Sequence, residues 1–273
     1  MAAQPLRVSA RGLTDVGQRR DHNEDSLLVD EALALFVVAD GMGGHAGGAT
    51  ASRLAVETIK GELQALKASK PELFGSEAEG EENPLPDALG RAVERAGAVI
   101  FETAQADADL TGMGTTVTAA LIDGRSAFVA HVGDSRAYLL RGGHIYQVTQ
   151  DHSLVAEQLR VGAISEEEAR NSRFKNIITR SVGFERDVLV DLMGLELEPG
   201  DALVVCCDGL SNLVEDKEIL ALVQANGVDA AQALVDLANE RGGDDNITVA
   251  VIGLAALGAA SPATAGSPKV APP

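Results

Sequence analysis

Residues 34–66 read ALFVVADGMGGHAGGATASRLAVETIKGELQAL, and the change of character within this stretch decides the fold. The opening ALFVVAD (34–40) is an unbroken apolar run closed by an acid, as a buried strand would be. From Ala51 the pattern switches, with Ala51, Ala55, Ile59, Leu63 and Leu66 recurring along one face of a helix. A second helical face follows in Leu89, Val93, Ala96 and Ile100. Before this helix pair lies SLLVD (26–30); after it come TTVTAALI (115–122), SAFVAHVGD (126–134), RAYLL, IYQV, VLVDLMGL (188–195), ALVVCCD (202–208) and ITVAVIGL (247–254). Further helices are predicted at about 153–161, 215–225 and 229–240. Helices therefore come in pairs between blocks of strands and do not alternate with them one for one. That order favours antiparallel sheets covered by helices over a doubly wound parallel sheet.

The chain has 273 residues, 45% of them hydrophobic and 23% charged, enough for one sizeable domain with a tail. A Pro-, Gly- and Glu-rich loop at roughly 67–86 joins the first helix pair, and the end from Ser261 to Pro273 has the Pro/Ala composition of a disordered tail. No apolar run reaches the roughly 18 residues of a membrane span, and MAAQPLRVSA lacks the apolar stretch of a signal peptide. A cytoplasmic protein is the expectation. Forty-one acids against 22 Lys and Arg leave a net charge of -19, which argues against nucleic acid and against an anionic membrane surface as partners. Part of that charge sits in SEAEGEEN (76–83); the rest is either a solvated surface or a cluster of buried carboxylates that would repel one another without cations. The only cysteines, Cys206 and Cys207, are adjacent in an apolar run and should point to opposite faces of a strand as small buried hydrophobes. A disulfide framework is excluded by the count, and this usage argues against a metal site built on thiolates, so oxygen ligands are expected for any cation.

Acids recur where strands end: Ala39-Asp40-Gly41, Val132-Gly133-Asp134, Cys207-Asp208-Gly209, and Asp244-Asp245-Asn246 just ahead of a strand. Glycine beside the acid lets a backbone carbonyl approach a hard cation such as Mg2+ or Mn2+. One Asp-Gly pair alone is more often a turn than a ligand. Here Asp40-Gly41 and Asp208-Gly209 follow strongly apolar strands and precede helix-like segments, so hairpin turns do not account for them. A fifth element, Arg20-Asp21-His22-Asn23-Glu24-Asp25, places a forked phosphate donor beside acids; it also reads as a polar loop with a surface arginine.

Together these motifs, with Gly43-Gly44-His45 and Gly112-Met113-Gly114-Thr115-Thr116, resemble in order and spacing the bacterial metal-dependent PPM, or PP2C-like, protein phosphatases over residues 10 to 254. The resemblance implies an α+β fold, a four-layer αββα sandwich of two packed antiparallel sheets flanked by helix pairs, filling 1–257 and leaving 258–273 as tail. It implies two Mn2+ or Mg2+ ions, with Asp40 bridging them, the carbonyl of Gly41 on one, and Asp208 and Asp245 completing the other. A third ion would sit near Asp134, with Asp208 reaching towards it. Glu24 and Asp25 would act through bound water, and Arg20 would bind phosphate. Gly112 to Thr116 is read as structural.

The implied reaction is hydrolysis of phosphoserine and phosphothreonine in proteins by direct attack of a water shared by the cations, with no phosphoenzyme. Members from eukaryotes carry His directly after the Asp-Gly pair. This chain has Met42 there, so His45 is the candidate proton donor, with a cation-bound water as the alternative. His22, His131, His144 and His152 are assigned to structure or surface. Residues 151–183 resemble the family's mobile flap, where Arg160, Arg173, Lys175 and Arg180 supply positive charge, either to attract phosphorylated segments or merely as solvent-exposed residues. A monomer acting on phosphorylated proteins, opposed to a bacterial Ser/Thr kinase, is expected. The alternative is a catalytically inactive cation-binding module of the same fold.

Overall fold

The apolar run at the head of the deciding stretch becomes strand β3 (Leu35–Ala39), every residue of which is buried. Its side chains alternate between two cores: Leu35, Val37 and Ala39 face one, Phe36 and Val38 the other. A strand covered on both faces needs no polar positions, which is why the sequence runs apolar without alternation. The computed structural model describes residues 6–43, 47–75, 83–170, 172–174 and 176–257. His45, Lys175, the acidic run 76–82 and the tail 258–273 lie outside the described residues.

β3 belongs to a five-stranded antiparallel sheet with β2 (Ser26–Asp30), β6 (Val117–Asp123), β7 (Ser126–Val132) and β10 (Asp191–Glu196), in the order β10-β7-β6-β3-β2. The second five-stranded antiparallel sheet has the order β1-β12-β11-β8-β9, built from β1 (Leu6–Asp15), β8 (Arg136–Arg141), β9 (His144–Gln147), β11 (Ala202–Cys206) and β12 (Ile247–Ala256). Helices α1 (Gly47–Ser69) and α2 (Leu85–Ala106) cover the first sheet through a core that includes Ile59, Leu63, Leu89 and Ile100. The two sheets share a middle core that includes Phe36, Val129, Leu203 and Ile252. On the far side, α6 (Asp216–Asn226) and α7 (Ala230–Glu240) cover the second sheet with Ile219, Val223, Leu234 and Val235. The expected four layers are therefore present. Cys206 lies in the outer core and Cys207 in the middle one, both buried and free, as strand alternation requires.

Four details differ from the sequence reading. β1 has no counterpart in it, because Leu6, Val8 and Ala10 alternate with polar residues on a strand that is only half buried. The run at 188–195 pairs only from Asp191. Asp40-Gly41 does not open directly into a helix: a short strand β4 (Gly41–Met42) intervenes and pairs with β5 (Gly114–Thr115). Within 151–183 a second short helix, α4 (Glu166–Arg170), follows α3 (Leu154–Arg160). Among the described residues no helix is long and apolar enough to cross a membrane.

Candidate active site

The acids picked out at strand ends converge at one end of the two sheets. Carboxylate oxygens of Asp25 and Asp40 and the thiol of Cys207 lie within 4.8 Å of one another. Asp134 and Asp208 stand close enough to raise each other's charge energy, and Asp40 feels Asp25, Asp208, Asp134 and Asp245 together. Burial first, and this mutual repulsion second, push the Asp25 carboxyl up to about 7 and Asp134 up to about 8, and lift Asp40 well above the usual carboxylate range. Oδ1 of Asp25 and Oδ1 of Asp134 are buried with no hydrogen-bond partner. Such oxygens would be costly in a site meant to stay free of cations. The fit to Mg2+ or Mn2+ is good: the carboxylates are crowded and two of their buried oxygens go unmet. Cys207 stays a thiol, because burial and the neighbouring acids raise it well above its ordinary value; its Sγ contacts Asn246 O and Thr248 N. Sequence reading had set this residue wholly in the core, whereas it also floors the acid cluster.

Backbone groups, hydroxyls and a side-chain amide hold several of these acids. Asp40 N donates to Thr116 Oγ1 (3.0 Å), and Asp40 O accepts from Thr116 N (2.8 Å) and Thr115 Oγ1 (2.9 Å). Thr115 and Thr116, read from sequence as structural, thus fix the central aspartate. Gly41 follows where Gly48 O and Glu24 O crowd in; a Cβ there would lie 2.1 and 2.4 Å from them, so only glycine fits. The carboxylate of Glu24 rests against Gly48 in the first turn of α1, at the positive end of that helix. Asp25 Oδ2 accepts from Thr248 Oγ1 at 2.6 Å. Asp208 opens a short helix, α5 (Asp208–Ser211), and accepts from Asn212 Nδ2 at 3.0 Å.

Two further partnerships were not foreseen. Arg20 Nη2 lies 2.7 Å from Asp245 Oδ2, so the expected phosphate donor stands directly beside an expected cation ligand. Asn246 staples the whole 16–25 loop: its Oδ1 accepts from Glu24 N (2.8 Å), and its Nδ2 donates to Val16 O (2.9 Å) and His22 O (3.0 Å). The motif pair Asp245-Asn246 flagged this residue, but nothing in the sequence showed what it ties. Arg136 makes a forked pair with Asp151 (Nη2 to Oδ2 2.7 Å), and Arg180 is engaged by Asp191, so neither is a free surface charge. A groove of about 1100 Å3 runs from Asp134 and Asp208 between α3 and the start of α6, with Leu159, Arg160 and Lys217 among its walls.

Comparison with known proteins places the chain in a family. Residues 17–241 match the family model for protein phosphatase 2C, and the chain belongs to that family. It is 38% identical over 244 residues, covering 88% of this chain and 93% of its relative, to the serine/threonine phosphatase stp of Listeria innocua. The crystal structure of the Mycobacterium tuberculosis serine/threonine phosphatase PstP/Ppp superposes with a TM-score of 0.77 at 37% identity, over 92% of this chain and 99% of that one. A structure of the PstP catalytic domain in complex with two manganese ions gives 0.77 at 35% identity, over 93% and 100% of the two chains.

Proposed function

We propose that this chain is a Mn2+- or Mg2+-dependent protein serine/threonine phosphatase whose substrates are phosphorylated proteins. The observation that carries the reading is the cluster of Asp25, Asp40, Asp134, Asp208 and Asp245, crowded and under-bonded in a way that cations would relieve. Asp40, the carbonyl of Gly41, Asp208 and Asp245 would hold two ions, with Asp134 serving a third alongside Asp208. Bound there, the cations supply Lewis acidity and a nucleophilic water at neutral pH. The chain's own part is positional. Thr115 and Thr116 keep Asp40 in place, Asn246 holds the loop bearing Arg20, Glu24 and Asp25, and Arg20 swings from Asp245 to the phosphoryl oxygens, where its planar fork neutralises charge. Because every expected acid is present, the inactive cation-binding module is the weaker reading.

Residues 1–257 would form the phosphatase domain, with 151–183 as its flap beside the groove. A cytoplasmic monomer countering a Ser/Thr kinase is the setting this reading supports. Purified protein with Mn2+ should hydrolyse p-nitrophenyl phosphate and a phosphothreonine peptide, and lose both activities with EDTA or on Asp40→Asn. Activity that survives either treatment sinks the proposal.

A further inference from the structure

His152 lies outside the acid cluster, and the sequence assigns it no chemistry. Its surroundings say otherwise. Only 5% exposed, it takes both backbone polar groups of Gly133: its own N donates to Gly133 O at 2.7 Å, and Gly133 N donates to its Nδ1 at 3.0 Å. With Nδ1 committed as an acceptor, the neutral ring carries its proton on Nε2, which lies 3.1 Å from Asp191 Oδ2. Asp191 in turn holds Arg180 through its other oxygen, and His152 O accepts from Thr179 N at 2.8 Å. Burial, which lowers the pKa of His152, agrees with a neutral ring. The His131 ring packs against it at 4.8 Å between centroids.

Gly133 cannot carry an anchoring side chain of its own. Its φ of +114° is open to glycine alone, and a Cβ there would meet Thr116 Cγ2 at 2.5 Å, so no side chain can anchor the turn from within. The next residue is Asp134, whose Oδ1 is among the unmet buried oxygens.

We propose that His152 is a positioning residue for the reaction: Nδ1 sets the Gly133-Asp134 turn, and Nε2, through Asp191 and Arg180, ties the end of the 151–183 segment to the same point. This deepens the phosphatase reading and rests on it for the role of Asp134. One imidazole thereby couples the placement of a cation-binding carboxylate to the base of the segment that walls the groove.

The two ring nitrogens can be replaced separately. In His152→Asn the amide oxygen stands near the place of Nδ1 and keeps the bond to Gly133 N; in His152→Gln the amide reaches the place of Nε2 and keeps only Asp191; His152→Ala keeps neither. Amide hydrogen exchange at Gly133 and Asp134, followed with EDTA present, should stay near wild type in the Asn variant and quicken about tenfold or more in Gln and Ala, the size expected when a buried N–H loses its acceptor. With Mn2+, kcat should follow the same order, Asn above Gln and Ala, with KM little changed, and the weakest Mn2+ site seen by calorimetry should weaken in parallel. Nitrogen-15 spectra of wild-type histidine should show His152 protonated at Nε2. Protonation at Nδ1, or Asn and Gln variants equal in exchange, overturns the proposal even if one variant folds poorly. Because exchange is read without cation, it decides the role of His152 separately from the metal assignment. If Asp134→Asn leaves every Mn2+ site of the wild type intact, it is the metal assignment that fails.

Discussion

Strands β8 and β11 lie side by side, and a buried aspartate stands at each end of the pair. At the far end Asp201, 4% exposed, is fully paired: Arg141 Nε and Nη2 reach its two oxygens at 2.9 and 2.6 Å, and Glu198 N adds a third bond at 2.7 Å. At the near end Asp134, 6% exposed, has an oxygen with no partner and faces Asp208 and Asp151. The residue type, the burial and the sheet are the same, and only the company differs. Asp201 closes the turn after β10 and has no charge left to offer. Asp134 keeps an oxygen unmet among other acids, which suits a site for an external cation and would be costly in a purely structural turn.

Substitution at the two ends should separate them most sharply. Asp208→Asn, beside Asp134, should lower kcat about 10³-fold, the scale of losing a principal electrostatic stabiliser, while leaving the melting temperature in EDTA unchanged or raised. Asp201→Asn should do the reverse: activity close to wild type, and a loss of about 2 kcal/mol, seen as several degrees in a melting curve. If both variants lose activity alike, the contrast collapses.

Acidity should sharpen the same comparison. Asp25 and Asp134 bind protons more tightly in the folded chain, at about 7 and about 8, than in the unfolded chain at roughly 4. Between those limits the folded state carries the extra protons, so their contribution to stability is full at low pH and fades as pH rises from about 4 to about 8. In EDTA the melting temperature should therefore fall over this range, and Mn2+ should restore it most at the upper end. A flat profile in EDTA would mean the floor acids are relieved by something else.

Arg20 should give the smallest effect. Arg20→Ala removes one forked donor at a half-exposed position, so KM for a phosphopeptide should rise about tenfold with a lesser change in kcat. An unchanged KM would leave its pairing with Asp245 as its whole role.

Much of this was legible in sequence. Continuous apolar runs marked strands covered on both faces, and the acids at their ends marked the site. What stayed hidden works through partners remote in the chain. Asn246 stabilises a loop more than 220 residues away through backbone groups that any residue would present. Thr115 and Thr116 act on the main chain of Asp40, 75 and 76 residues distant. β1 escaped notice because an edge strand half open to water carries a diluted pattern. Motif spacing indicates which side chains matter, but it is silent on the hydrogen bonds that aim them.

The 151–183 segment leaves and re-enters the fold through a narrow neck. Ser153 bridges Ile178, Leu154 N bonds Ile177 O at 2.9 Å, and Val182 bridges Thr115 next to the central aspartate. Since closing a loop on such a neck costs only about 0.6 kcal/mol more for each doubling of its length, what lies between the bridges is free to lengthen, shorten or be rewritten. In evolutionary terms the neck makes the segment an exchangeable cassette: lineages can alter the wall of the groove by drift or insertion there while the carboxylate floor is inherited intact.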